Sequence, residues 1–288
     1  MFVVTGATGH LGRAIIERLV NRVPASQVGA SVRDLAKAAD LSALGIRVRQ
    51  GDFDDPQSLL HTFEGAAQVL LVSSNARAYG GDTLGQHRAA IEAARAAGAG
   101  RIVYTSHMAA SGSSAFRPML DHHATEEMLR QSGLAWTALR NGFYAASGIA
   151  LMGDALETSV VAAPADGRVS WTAHADLAEA AAVILADEGR YDGPTPPLTG
   201  SQSLDLADLA QLASELLDCP IRRQVLPDED LRAKMAARGA PESVADVVLG
   251  LYRASRNGEF ATVDPTLERL LDRRPITMRD LIAKKVGK

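Results

Sequence analysis

The chain contains almost no cysteine and no excess of positive charge. Cys219 is the single cysteine among 288 residues, so an internal disulfide is excluded, and no second thiol or flanking histidine makes it a metal ligand. We expect Cys219 to be a small buried residue and predict no metal site. The net charge of -4 offers no basic surface for nucleic acid or for an anionic membrane.

Long apolar runs are also lacking. No stretch approaches the length that spans a bilayer, and the first residues form neither a charged leader nor an apolar signal core. We therefore expect a cytoplasmic protein with no nucleic acid or membrane partner. With 47% hydrophobic and 22% charged residues, the chain can bury one large core, or a large and a smaller one.

A glycine-rich turn stands close to the beginning of the chain. The apolar run Phe2–Val4 precedes Gly6, Gly9 and Gly12, and the amphipathic stretch Ala14–Val20 follows them. A strand, a glycine turn and a helix in this order suit a dinucleotide, because the pyrophosphate can approach the backbone and the free N–H groups of the helix. The alternative is an ordinary tight turn between a strand and a helix.

Short apolar runs alternate with stretches of helical spacing as far as Arg140. This alternation predicts an α/β protein of the Rossmann type, a doubly wound parallel sheet with helices on both faces. Beyond the first strand, the predicted strands are Gln27–Val32, Ile46–Val48, Val69–Val72, Ile102–Thr105 and Ala135–Leu139.

The pattern predicts two domains. Residues 1–193 form the NAD(P)-binding domain, to which 139–175 add part of the substrate cleft, and residues 194–288 form a smaller, mainly helical substrate-side domain. In open parallel sheets the ligand binds beyond the carboxyl ends of the strands, so we expect the substrate between the cofactor and the smaller domain. Helices are predicted at Asp82–Ala97, Asp176–Leu185, Glu229–Ala237, Ser243–Arg253 and Met278–Lys285, with another capped by Asp205 and Asp208.

The residues after the second predicted strand distinguish NAD from NADP. Arg33 can bind a 2′-phosphate with two hydrogen bonds, and Lys37 adds a second positive charge. Asp34 suits the ribose hydroxyls of NAD, but it equally suits a helix cap, which is the interpretation we prefer. The sequence therefore predicts NADPH as the cofactor.

Five runs of residues together point to one family. They are 4–12, 32–37, 51–54, 104–106 and 139–144. In these runs the chain resembles the NmrA-like branch of the atypical short-chain dehydrogenases, and within it the type 2 quinone reductases and the triphenylmethane reductases. The resemblance extends over nearly the whole chain.

The resemblance implies how NADPH is bound at the matching positions. His10 stands where the relatives carry glutamine, but the backbone does most of the binding there, so we expect the same cofactor. The implied contacts are Gly6, Thr8, His10 and Leu11 for the pyrophosphate, Arg33 and Lys37 for the 2′-phosphate, Asp52 and Phe53 for the adenine, and Ser73 and Ser74 for the ribose nearer the nicotinamide, with Gly9, Gly12 and Thr105 as further cofactor-binding residues.

The proton-donating pair of ordinary short-chain dehydrogenases is missing. None of the five tyrosines is followed four positions later by a lysine. Hydride addition to a simple ketone produces a basic alkoxide that needs an acid, whereas a reduced quinone is a phenolate that can wait for solvent. The missing pair therefore favours conjugated, electron-poor acceptors, with catalysis by positioning in a dry cleft.

His122 is the candidate catalytic residue. It lies in the run 121–126, which we expect to open a helix, and it matches a histidine of the quinone and dye reductases. It can orient or protonate a substrate oxygen, because its ordinary pKa is near neutrality. The alternative is a partly exposed histidine at a helix start. His87 and His107 are expected to be packing or surface residues.

The residues after the sixth predicted strand are candidates for substrate contact. Asn141 suits a polar contact, and Phe143 and Tyr144 suit stacking on a planar conjugated substrate, although aromatic side chains there equally suit a core. We expect Arg140 to pair with a carboxylate and Trp171 to pack.

Three functions remain open from the sequence. The first is an NADPH-dependent reductase of quinones or similar acceptors. The second is a reductase of the same fold that acts on a triphenylmethane dye, an imine or an enone. The third is an NmrA-like regulator that senses NADP without turning it over. The helical region also offers a surface on which two copies can form a homodimer.

Overall fold

A computed structural model of the chain describes residues 1–287. They form two compact units, each made of three separate segments. The sheet unit comprises Met1–His107, Asp121–Arg140 and His174–Pro196. The helical unit comprises Met108–Leu120, Asn141–Ala173 and the chain from Pro197 onward.

The described residues contain nine strands. They are β1 (Phe2–Val4), β2 (Val28–Val32), β3 (Arg47–Gln50), β4 (Gln68–Leu71), β5 (Arg101–His107), β6 (Ala135–Asn141), β7 (Val160–Pro164), β8 (Gly193–Pro194) and β9 (Arg222–Leu226). The sheet unit holds seven of them in the order β3-β2-β1-β4-β5-β6-β8. Its strands run parallel, and the order reverses direction at β1, as in a Rossmann fold. The predicted fold class is confirmed.

The helices for which the sequence predicts positions lie within a few residues of them, apart from one start. The helices are α1 (His10–Leu19), α2 (Ala39–Ala43), α3 (Pro56–Phe63), α4 (Thr83–Ala96), α5 (Arg117–Gln131), α6 (Ala145–Leu151), α7 (Ala155–Thr158), α8 (His174–Ala186), α9 (Leu206–Leu217), α10 (Asp228–Ala237), α11 (Glu242–Arg256), α12 (Thr266–Leu271) and α13 (Met278–Lys285). The sequence predicts no bounds for α2, α3, α6, α7 and α12. The predicted start at Asp121 is wrong, because α5 begins four residues earlier with Pro118 in its first turn, where the fixed φ of proline suits a helix. None of the helices among residues 1–287 is long and apolar enough to cross a membrane.

Apolar strands and one packed helix pair make the core of the sheet unit. Every residue of β2, β4 and β5 is buried, as expected for strands covered on both faces. Helix α1 buries Leu11, Ile15, Ile16 and Leu19, which share one face, and it packs against the alanine-rich α8. This packing fixes the axis of α1, and with it the direction of its amino end.

The helical unit contains a second sheet that the sequence patterns did not predict. Strands β7 and β9 pair in parallel, and β9 is mostly exposed, so it lacks an apolar pattern. The cap formed by Asp205 and Asp208 is confirmed. The prediction that Cys219 is buried is wrong, because Asp218 ends α9 at φ +52° and the following residues lie on the surface.

Candidate functional site

The glycine turn follows β1 directly and is closed by its own backbone. Gly6 adopts φ +59°, and its carbonyl accepts a hydrogen bond of 2.9 Å from the N–H of Gly9. A Cβ on Gly12 would lie 2.4 Å from the Gly6 carbonyl oxygen, so the helix meets the turn at a distance only glycine permits. No side chain caps α1, and its first turn contains no acidic residue. The turn therefore fits a pyrophosphate at the amino end of α1.

Charged residues follow β2. Arg33 is exposed, and its guanidinium makes no ion pair with any residue in 1–287. The Asp34 carboxylate accepts a hydrogen bond of 3.0 Å from the N–H of Ala36, so the predicted capping role is confirmed, for a short 3₁₀ turn. Lys37 is exposed and lies 3.8 Å from Asp34. Arg33 thus remains available to a phosphate.

Asp52 and Phe53 lie in the turn that follows β3, and both are half-buried. Gly51 brings this turn close to β2, because a Cβ there would lie 2.3 Å from the hydroxyl of Ser31. A surface cavity of about 550 Å³ opens beside Asp52, with Leu35 and Ser58 among its lining residues. The cavity is large enough to admit a heterocycle.

Ser73 and Ser74 follow β4, where side chains from two elements hold their backbone. The N–H of Ser73 donates to the hydroxyl of Thr105 on β5 at 2.8 Å, and the N–H of Ser74 donates to Nε2 of His87 on α4 at 2.8 Å. His87 therefore carries its proton on Nδ1, which lies 2.7 Å from the hydroxyl of Thr125. Thr105 and His87 thus fix the segment that the sequence assigns to the cofactor ribose.

Strand β5 and helix α5 face each other in a regular register. Tyr104 and Ser106 are two residues apart on one face of the strand, and they contact His122 and Glu126, one turn apart on the helix. The Ser106 hydroxyl donates to Glu126 at 2.6 Å, and the guanidinium of Arg140 donates to both oxygens of that carboxylate. The predicted pairing of Arg140 is confirmed. Because the Ser106 hydroxyl is bound to Glu126, Ser106 is not a free proton donor.

Three histidines cluster in the sheet unit. The rings of His107 and His122 stack with centroids 6.0 Å apart, and His87 meets Tyr104 edge-on at 5.3 Å. Burial lowers the pKa of His122 to about 4 and that of His87 to about 3, and it lowers the pKa of His107 as well. All three are therefore neutral near pH 7. Among residues 1–287, no group of three side chains is arranged to hold a metal ion.

The predicted substrate residues lie in the helical unit. Asn141 ends β6 and is buried, and the oxygen of its side-chain amide has no hydrogen-bond partner. Burial raises the pKa of the Tyr144 phenol to about 12. The side chain of Asn141 forms a hydrogen bond with this phenol, which lowers the pKa by a smaller amount. Phe143 is buried against Trp171 and Phe260, with centroids 5.6 and 5.0 Å away, which favours its packing role. Trp171 is also buried, as predicted.

One contact within the sheet unit escaped the sequence interpretation. Tyr104 belongs to a run that resembles the family, but nothing in that run indicates that its phenol reaches His122. The two residues are 18 positions apart, and the contact depends on how α5 lies along β5. The one signal in the sequence is that Tyr104 lies two residues before Ser106, so the two side chains share a face of β5.

A parallel sheet of this order, with an uncapped helix facing a glycine turn, defines a Rossmann-type dinucleotide-binding protein. A family model described as NAD(P)H-binding matches residues 6–188. Over 284 residues the chain is 35% identical to Quinone oxidoreductase 2 of Escherichia coli, and this match covers 98% of each protein. The chain belongs to the NAD(P)H-binding, NmrA-like family, as its sequence runs predicted.

Solved structures agree over the full length. The crystal structure of an NADPH-dependent quinone oxidoreductase from Escherichia coli, complexed with NADPH, matches with a TM-score of 0.92 at 35% identity, covering 99% of this chain and 100% of that one. The triphenylmethane reductase of Citrobacter sp., complexed with NADP(H), matches with a TM-score of 0.88 at 30% identity and covers 99% of both chains.

Proposed function

We propose that this chain is an NADPH-dependent oxidoreductase that reduces quinones or similar planar, conjugated, electron-poor acceptors. The likeness to Quinone oxidoreductase 2 over 98% of the chain supports this proposal. So does the chemistry of the sheet unit, where Ser106 is bound to Glu126 and His122 is neutral. The observation that carries the proposal is the absence of a tyrosine–lysine pair in a fold that fits NADPH.

The residues around the carboxyl ends of the strands would divide the work of binding. The turn Gly6–Gly12 would hold the pyrophosphate, and Arg33 with Lys37 the 2′-phosphate. Asp52 and Phe53 would contact the adenine, and Ser73, Ser74 and Thr105 would form the surface near the second ribose. When bound, NADPH supplies the hydride.

His122 would act on the acceptor. A neutral His122 can donate one hydrogen bond to the oxygen on which charge develops. Substrate contacts of Asn141, Phe143 and Tyr144 stay predictions from the sequence. The aromatic product is a phenolate, and it takes its proton from water. Positioning is therefore the main contribution of this chain, rather than proton transfer.

A turnover assay tests the proposed function directly. We expect the purified protein to oxidise NADPH, followed by the absorbance of the reduced nicotinamide, with benzoquinone or naphthoquinone but not with cyclohexanone. The ketone is the control, because its alkoxide needs an acid that this site does not provide.

Other outcomes of the assay separate the alternatives. Turnover of malachite green without quinone turnover would favour the dye reductase, which the likeness to the Citrobacter enzyme supports. NADPH binding without oxidation by any acceptor would contradict an enzymatic role and favour a regulator that senses the cofactor.

Arg33→Asp is expected to lower kcat/KM for NADPH about tenfold or more while leaving kcat/KM for NADH unchanged or higher. The change removes a charge-assisted hydrogen bond to the 2′-phosphate, of about 1.5 to 3 kcal/mol, and adds repulsion. Steady-state kinetics with both cofactors measure the ratio. Arg95→Asp, an equally exposed change at the last turn of α4, is the control and should leave the ratio unchanged. An unaltered ratio in Arg33→Asp would remove Arg33 from the cofactor site.

A cytoplasmic location and a homodimer stay predictions. Sedimentation at micromolar concentration measures the second, and a monomer at all concentrations would contradict it.

A further inference from the structure

The phenol of Tyr104 is bound to the ring of His122. Its Oη lies 2.8 Å from Nδ1 of the imidazole, and Tyr104 is completely buried on β5. A phenol is the stronger hydrogen donor of the two, and an imidazole nitrogen is the stronger acceptor. The Tyr104 O–H therefore donates to Nδ1, and a neutral His122 carries its proton on Nε2.

The surroundings of His122 keep the ring uncharged. His107 stacks on it from β5, and His87 lies against Tyr104 from α4. The neighbouring carboxylate of Asp121 favours the charged form, but the guanidinium of Arg77 binds it at 2.6 and 3.0 Å, and burial outweighs its effect on the pKa of His122. Near pH 7 the ring of His122 therefore carries a single proton, on one of its two nitrogens.

The other nitrogen of His122 is available. Nε2 makes no hydrogen bond to any residue in 1–287. It is not one of the buried side-chain atoms without a partner, so it is accessible to solvent. The side chain is half-buried, so Nε2 is the accessible end of the ring and Nδ1 the anchored end.

We propose that Tyr104 is a positioning residue that holds His122 in its Nε2–H tautomer, so that Nε2–H donates to the substrate oxygen. The inference rests on the proposed function, since it assumes that His122 faces the acceptor. No proton leaves His122 in this scheme. Hydride bonds to one quinone oxygen, the π electrons shift through the ring to the other oxygen, and the aromatic phenolate formed at that oxygen is protonated by water.

The tautomer can be measured without turnover. Nitrogen-15 NMR of histidine-labelled protein, with His122→Ala to assign the signal, should show Nε2–H alone in the wild type and a mixture with Nδ1–H in Tyr104→Phe. The phenylalanine keeps the ring and its packing, and circular dichroism checks the fold. A wild-type His122 protonated on Nδ1, or an Nε2–H form unaffected by Tyr104→Phe, overturns the inference.

Kinetics then test the consequence. We expect Tyr104→Phe to lower kcat for a quinone about threefold to tenfold with the KM for NADPH unchanged, the size expected for one neutral hydrogen bond. His122→Ala should lower kcat at least as much, and adding Tyr104→Phe to it should have no further effect. If the tautomer is Nε2–H but His122→Ala turns over the quinone as fast as the wild type, His122 has no role in the proposed function. That result also overturns the catalytic part of this inference. A tautomer other than Nε2–H overturns this inference alone.

Discussion

Replacing Gly12 by alanine is expected to raise the dissociation constant for NADPH tenfold or more and to lower the free energy of unfolding by about 1 to 3 kcal/mol. The added Cβ would lie 2.4 Å from the carbonyl oxygen of Gly6 and 3.1 Å from that of Thr5. These are backbone atoms, so α1 must move away from the turn that would hold the pyrophosphate. Alanine gains helix propensity of about 1 kcal/mol, which is less than the clash costs.

Fluorescence titration with NADPH and urea unfolding measure the two effects of Gly12→Ala. Gly100→Ala is the matched control, because its Cβ would meet only the Ala67 carbonyl oxygen at 3.4 Å, which is ordinary contact. We expect wild-type NADPH affinity in the control. Wild-type affinity in Gly12→Ala as well would mean that the close approach of helix and turn does not serve the cofactor.

Glu126→Gln is expected to lower the free energy of unfolding by about 3 kcal/mol, the lower end of the range for breaking a buried ion pair. Glu126 is only 5% exposed and accepts hydrogen bonds from Ser106 and from Arg140. The amide keeps the size of the side chain but removes its charge, so the guanidinium loses its partner on a half-buried surface. The amide can accept only through its single oxygen, which leaves one donor unpaired.

The adjacent residue gives the control for Glu126→Gln. Glu127 pairs with Arg130 on the exposed face of α5, where both side chains are more than two-fifths exposed. Glu127→Gln should change stability by less than about 1 kcal/mol, as for surface ion pairs in general. Urea unfolding measures both variants. Equal losses of unfolding free energy would show that the buried pair of Glu126 and Arg140 stabilises the fold no more than the exposed pair.

The parts of the fold that the sequence predicted are those specified locally. Strand β1, the glycine turn and α1 occupy 18 consecutive residues, and each is encoded by its own pattern of apolar residues and glycines. Asp34, Asp205 and Asp208 acted as caps, because a cap needs only the next two or three residues. Such features depend little on the rest of the chain.

The missed parts depend on distant pairing. Strand β9 forms because β7 offers it a backbone partner 62 residues earlier, and its exposed residues carry no apolar period. The contacts of Tyr104 and Ser106 with α5 require the helix to lie in one register on the strand. Among the substrate candidates, the sequence identified Phe143 as an aromatic residue, but its neighbour Phe260 is more than 100 residues away.

Because each unit consists of three separate chain segments, no single cut of the chain yields either unit whole. A single cut after residue 193 would separate residues 108–120 and 141–173 from the rest of the helical unit. Phe143 and Trp171 would then lose Phe260 as a neighbour, and a shortened product would expose this apolar surface and aggregate. Fragments of this chain are therefore poor tools for mapping its activities, whereas point substitutions in the intact polypeptide leave both cores in place.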